Sequence, residues 1–215
     1  MRKIKFPIIK PFITDDEVRE VTKVLKSGWL TQGNYVRTLE KNIADFIGVK
    51  YAILLNSATT GLIAAVKALE LSKNDEVIVP SFSFPATSNS VILGGAKPVF
   101  CDIDLETYNI AAEKISNFIT RKTKAIMVVH EFGLSANMTE ISAIAKKYNL
   151  SVIEDAACSF GSEYNKVKLG ALGDIGVFSF HPRKVITSGE GGCVVTNSAR
   201  FAKSIHLARS HGEYN

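Results

Sequence analysis

The sequence predicts an α/β protein, a three-layer αβα arrangement around a mostly parallel sheet. Short apolar runs recur along the chain: YAILL (51–55), EVIVP (76–80), KPVFCDI (97–103), KAIMVVH (124–130), LSVIEDA (150–156), IGVFSF (175–180) and GCVVTN (192–197). They are continuous rather than alternating, which marks strands covered on both faces. Stretches with helical spacing of apolar residues separate them, the pattern of a parallel sheet with crossover helices.

The elements follow in order. TDDEVREVTKVLKSG reads as a helix over 14–26, with Thr14 and Glu17 spaced as a capping box and Gly28 as its stop. A second helix over 35–47 ends at Gly48. The remaining helices are expected over 59–69, 85–93, 111–119, 138–148 and 198–209. Residues 1–215 read as one large domain, with the helices of about 1–50 included.

Composition narrows the function classes. With 46% hydrophobic and 22% charged residues, the chain can build a sizeable core. The net charge of +5 is spread over scattered sites (Arg2, Lys3 and Lys5; Lys122 and Lys124; Lys146 and Lys147). No basic stripe interleaved with aromatics appears, so nucleic acid is not the expected partner; anionic ligands such as phosphates remain compatible. Cys101, Cys158 and Cys193 form no CxxC pair, which argues against a zinc site or disulfide framework, and no metal is expected. Each lies in an apolar run, as a reduced, buried thiol of the cytoplasm would. The basic N-terminus lacks the apolar core of a signal peptide, and no apolar run approaches the roughly 18 residues of a membrane span.

In parallel sheets, ligands bind beyond the carboxyl ends of the strands. The segments that follow the strands are NSATTG, PSFSFPAT, DID, HEFG, EDAACS and SFHPRK, and they are expected to converge in one cleft. The segment GDIGVFSFHPRKVITSGEGG carries the least ordinary residue, Lys184. Read alone, it is a surface lysine in a turn. It follows Ser179 by five positions and precedes a glycine-rich turn. A partly desolvated ammonium gives up its proton more readily and becomes a nucleophile toward an aldehyde, and the usual biological aldehyde is pyridoxal phosphate (PLP). That cofactor needs a carboxylate at its ring nitrogen. Asp155, ending an apolar strand, is the candidate; the alternative is a strand-end Asp capping a turn. Glu154, one residue earlier, should face the other side of the strand. The phosphate needs amides at a helix start and hydroxyls, which Ala58 and Thr59 in NSATTG offer beside plain N-capping by Ser57 or Thr59. Ser179 adds a hydroxyl from the lysine side. Phe84 is a candidate to stack on the ring, or a core residue.

Taken together, GWLTQGNYVRTLEKNIADFIGVKYAILLNSATTGL, VPSFSFPATSNSV, HEFGLSANM, IEDAACSFGS and GDIGVFSFHPRKVITSGEGG resemble the DegT/DnrJ/EryC1/StrS family of PLP-dependent sugar aminotransferases, over nearly all of the sequence. SFHPRK followed by GEGG is most similar to its 4-amino-sugar branch, which includes GDP-perosamine synthases. The resemblance implies the large domain of fold type I. It implies that Lys184 bonds covalently to PLP and shuttles the proton between the PLP and pyridoxamine phosphate (PMP) forms. It also implies that Asp155 pairs with the ring nitrogen, that Ser179, Ala58 and Thr59 hold the phosphate, and that Phe84 stacks on the ring. Cys158 stands where many members carry a Gln near the phenolic oxygen, and a thiol is a weaker donor. Ala58 replaces a usual Gly; Ser135 and Asn137 stand where Pro and Asp are common.

The family implies transfer of an amino group from glutamate to a nucleotide-linked keto-sugar, in a cytoplasmic homodimer. It also implies a small C-terminal domain and a downstream asparagine that reach the cleft, neither of which falls within residues 1–215. Two other functions follow from the same reading. One is a sugar dehydratase of the same family, in which histidine replaces the lysine; Lys184 argues against it, and His181 reads as a strand-end residue bonded locally. The other is a non-catalytic remnant that binds PLP without turnover.

Overall fold

A computed structural model describes residues 9–213 of the chain; the basic cluster at Arg2, Lys3 and Lys5 lies outside the described residues. All seven expected strands form and join one sheet. They are β1 (Tyr51–Leu55), β2 (Glu76–Pro80), β3 (Lys97–Cys101), β4 (Thr123–Val129), β5 (Ser151–Asp155), β8 (Ile175–Ser179) and β9 (Gly192–Thr196). Their order across the sheet is β1-β9-β8-β5-β4-β2-β3. Neighbours pair in parallel from β8 to β3. β9 alone is reversed, lying antiparallel between β1 and β8.

Successive strand residues face opposite sides, so each inner strand feeds two cores. Val79, Met127, Ile153 and Val177 pack beneath α3 (Ala58–Ala68), α4 (Ala86–Gly94) and α7 (Ala199–Arg209). Ile78, Ile126, Val128 and Val152 pack on the other face beneath α5 (Ala112–Ile115) and α6 (Met138–Tyr148). α2 (Asn34–Ile47) extends that layer over Phe178 and Val195. These are the three layers of the expected α/β class. α1 (Asp15–Ser27) starts with the Thr14–Glu17 capping box, ends at left-handed Gly28, and buries none of its residues.

Three local expectations are corrected. The helix expected over 111–119 stops at Ile115 and continues as a single 3-10 turn, Ser116–Phe118; Ser116 and Asn117 are residues whose side chains compete for backbone hydrogen bonds. β1 and β3 are the sheet edges and are partly exposed, not covered on both faces. A small hairpin, β6 (Glu163–Tyr164) with β7 (Val167–Lys168), was not expected. It turns at Asn165 and Lys166, both with positive φ, as a tight primed hairpin turn requires.

Candidate active site

Because β9 is reversed, its amino end meets the carboxyl ends of β1, β2, β4, β5 and β8 at one edge of the sheet. A cleft of about 390 Å³ opens there, within the range of small-molecule sites. Ala58, Thr59, Phe84, Asp155, Cys158, Ser179 and Lys184 all line it, so the structure brings the seven candidate cofactor residues together. The DID segment does not join them. β3 lies at the far edge of the sheet, and the chain beyond it folds back, with Ile103 bridging Ile110 and Lys114 Nζ donating to Asp102 Oδ2 at 3.1 Å.

The first wall is the start of α3. Ser57 caps it, its Oγ accepting from Thr60 N at 3.2 Å. Capping leaves the amides of Ala58 and Thr59 without acceptors inside the helix, at the end where the helix dipole favours an anion. The turn is held from behind by β9. A side chain at Gly192 would collide with the Ser57–Ala58 backbone, so only glycine lets the two segments touch.

Asp155 forms the floor. It is 5% exposed. Its Oδ2 accepts from Thr87 Oγ1 at 2.9 Å and its Oδ1 from Ala157 N at 3.2 Å. Burial pushes its carboxyl above the usual range, while those two hydrogen bonds and the Lys184 ammonium oppose the shift. Glu154 faces the other way as expected. It is a structural tie, fully buried and accepting from Gly170 N at 2.8 Å and Leu172 N at 2.7 Å, with His130 Nε2 at 2.9 Å.

Lys184 enters from the loop after β8. Its backbone N donates to His181 O at 2.9 Å, and Thr187 Oγ1 closes the loop by donating to Phe180 O at 2.8 Å. Its Nζ donates to Cys158 Sγ at 3.1 Å. Ser179 is buried, and its Oγ accepts from His181 N at 3.4 Å. His181 is bonded locally, its Nδ1 accepting from Arg183 N at 3.2 Å. Phe84 is 73% exposed at the cleft, which removes the core-packing alternative and leaves its ring open to a flat ligand. The expectation of buried thiols holds for Cys101 and Cys193, which burial pushes above the usual thiol range. It fails for Cys158, a half-buried cleft residue.

Sequence reasoning passed over Ser83, Glu131, Arg183 and Glu190, which also line the cleft, and Thr87, which supports its floor. Glu131 is the most informative. It is buried, its Oε1 has no hydrogen-bond partner, and burial followed by the charge of Asp155 pushes its carboxyl up to about 7. The signal was present, since HEFG directly follows β4, but a carboxylate after a buried strand is not in itself distinctive.

The donor set fits PLP: amides and a hydroxyl for a phosphate, a buried carboxylate for a protonated ring nitrogen, an open aromatic face for the ring, and an amine for the aldehyde. Among the described residues no cluster of three or more His, Cys, Asp or Glu could hold a metal ion. No helix there is long and apolar enough to cross a membrane.

The fold is that of the PLP-dependent transferases. The DegT/DnrJ/EryC1/StrS aminotransferase family model matches residues 11–215, and the chain belongs to that family. The family is PLP-dependent. The chain is 41% identical over 209 residues to the GDP-perosamine synthase of Caulobacter vibrioides, covering 97% of this chain and 56% of that protein. It superposes with a TM-score of 0.94 on PseC of Helicobacter pylori, an aminotransferase of pseudoaminic acid biosynthesis, at 36% identity over 98% of this chain and 57% of that one. It also superposes with a TM-score of 0.93 on the E. coli GDP-4-keto-6-deoxy-D-mannose-3-dehydratase with bound hydrated PLP, at 32% identity over 97% of this chain and 55% of that one. The chain spans about half the length of the curated relatives it matches.

Proposed function

We propose that this chain carries the cofactor-binding half of an aminotransferase that moves an amino group from glutamate to a nucleotide-linked keto-sugar. The observation that carries the reading is the position of Lys184, whose Nζ reaches into a cleft floored by Asp155 and walled by the start of α3. Bound PLP would supply an aldehyde and a ring that withdraws electrons from the α-carbon of the amino donor. Lys184 would hold the cofactor through its amine and would take up and return a proton at Nζ as general base and acid. Asp155, positioned by Thr87 and Ala157, would accept a hydrogen bond from the ring nitrogen. The Ala58 and Thr59 amides and the Ser179 hydroxyl would anchor the phosphate, Phe84 would cover the ring, and Cys158 keeps the Lys184 amine oriented.

The likeness to the dehydratase supports a second reading, elimination from a nucleotide-linked keto-sugar. Lys184 weighs against it, because a residue able to bond to the cofactor suits transamination. A homodimer that completes the cleft accords with the family.

The test is to incubate the chain with PLP, reduce with borohydride and map the modified peptide. A stable phosphopyridoxyl adduct on Lys184 alone is expected, followed by a glutamate-dependent spectral change in the unreduced protein. Labelling spread over surface lysines, or none, overturns the assignment of the site. An adduct at Lys184 with no response to glutamate favours the non-catalytic alternative.

A further inference from the structure

Lys184 Nζ and Cys158 Sγ meet at 3.1 Å in the lining of the cleft. Lys184 comes from the loop after β8 and Cys158 from the turn after β5, so two separate segments deliver an amine and a thiol to one point. Cys158 is partly exposed there, whereas Cys101 on β3 and Cys193 on β9 are fully buried, and neither lines the cleft. A small polar oxidant entering the cleft therefore reaches Cys158 and not the other two thiols.

An accessible thiol beside a lysine is the kind that peroxide oxidises first, to the sulfenic acid. A sulfenic acid then condenses with the nucleophile that lies against it. A second thiol gives a disulfide, and a nitrogen gives a sulfenamide. No second thiol is at hand, because Cys101 and Cys193 are buried elsewhere in the sheet. The nitrogen of Lys184 is already in contact with the sulfur, and its flexible four-carbon stem lets it close the remaining distance.

We propose that Cys158 and Lys184 form a redox-switched modification site, in which hydrogen peroxide links Sγ to Nζ as a sulfenamide and withdraws Lys184 from the cofactor. In the first step the Cys158 sulfur attacks peroxide. The S–H and O–O bonds break, an S–O bond forms and water leaves; sulfur is oxidised by two electrons and peroxide is reduced. In the second step the unprotonated Lys184 amine attacks that sulfur. An S–N bond forms, the S–O bond breaks, and hydroxide leaves with the amine's proton as a second water. One peroxide is consumed, two waters are released, and the protein loses two hydrogens. Two equivalents of a small thiol reverse the link. The first cleaves the S–N bond and frees the amine, and the second frees Cys158 as the small thiol departs as its own disulfide. A nitrogen bonded to Sγ is no longer available to the PLP aldehyde, so link and cofactor exclude each other. The exclusion rests on the proposed role of Lys184; the link rests on the geometry of the pair.

The test treats the full chain, without cofactor, with one equivalent of hydrogen peroxide, and follows it by intact mass and by peptide mapping under non-reducing conditions. The expected product is lighter by two hydrogens, joins the peptides of Cys158 and Lys184, and returns to its original mass with dithiothreitol. Cys158→Ser and Lys184→Ala should each abolish that product, and in the lysine variant Cys158 gains oxygen instead; circular dichroism verifies both folds. PLP uptake, followed by absorbance, should be lost as the link forms and recovered with the thiol. Oxygen added at Cys158 of the wild type with no joined peptide overturns the proposal, as does no reaction. A product lighter by two hydrogens that persists in Lys184→Ala also overturns it, because the sulfur has then bonded to another nitrogen. A fully linked chain that still takes up PLP overturns the switch. The mass readout needs no PLP, so a chain that links but takes up no PLP when reduced counts against the proposed function and leaves the link standing.

Discussion

Lys184 Nζ lies 3.1 Å from Cys158 Sγ. The residue beside the amine is thus a soft, weak acceptor, and it comes from the turn directly after the strand that ends in Asp155. The contact orients Lys184. Lys184→Ala is expected to abolish the borohydride-trapped adduct and to lower turnover by at least about 10²–10⁴-fold, the contribution of a positioned acid–base group. Cys158→Ser should keep the adduct on Lys184. Peptide mapping decides both; an adduct surviving in the alanine variant would remove Lys184 from its role.

Asp155 is held at a cost to the fold. Burial raises its carboxyl, so the ionised form destabilises the folded chain above that shifted value. Asp155→Asn should raise thermal stability at pH 8, by about 0.5–2 kcal/mol, while lowering turnover about 10²–10³-fold, as loss of one fixed electrostatic partner does. Melting curves and steady-state rates on the same preparation test the pair of effects. A variant that is both less stable and fully active contradicts the assignment.

Glu131 titrates from an ordinary 4.5 to about 7 on folding. A carboxyl raised in this way binds its proton more tightly in the folded state. Its contribution to stability is complete below about pH 4.5 and is lost as pH rises through about 7. Wild type should therefore lose stability relative to Glu131→Gln between those values, seen as diverging melting temperatures. Parallel profiles would show that the group titrates normally.

Gly192 touches the backbone of Ser57 and Ala58. Gly192→Ala must push the start of α3 away, at a cost of about 1–3 kcal/mol from overpacking. It should also weaken PLP binding more than an equally destabilising core change elsewhere. Fluorescence titration of PLP against both variants separates local displacement from general loss of stability.

Much of this was legible in the sequence for physical reasons. Apolar runs such as SVIED and IGVFS are strands because they are covered on both faces, and Thr14, Gly28 and Gly48 mark helix ends through backbone geometry that few residues share. The cleft residues were legible because binding a phosphate, a ring nitrogen and an aldehyde calls for distinct chemical types in a set order. The unread parts lack such constraints. The β6–β7 hairpin depends on two positive-φ residues, one of them Lys166, which sequence does not advertise. Thr87 and Ser83 look like ordinary residues of a helix start. Only the three-dimensional approach of α4 to β5 shows that Thr87 reaches Asp155, sixty-eight positions away.

The reversed strand also imposes an order of events on synthesis. β1 reaches the rest of the sheet only through β9, and Leu55 ends the first while Gly192 opens the second. At roughly 5–20 residues per second, a ribosome leaves that gap open for on the order of ten seconds. Through that interval the turn at Ser57–Ala58 has no Gly192 behind it, although the strands that carry Phe84 and Asp155 toward the cleft have already emerged. The site is therefore completed from its far edge inward, and its anion-holding corner is the last to set.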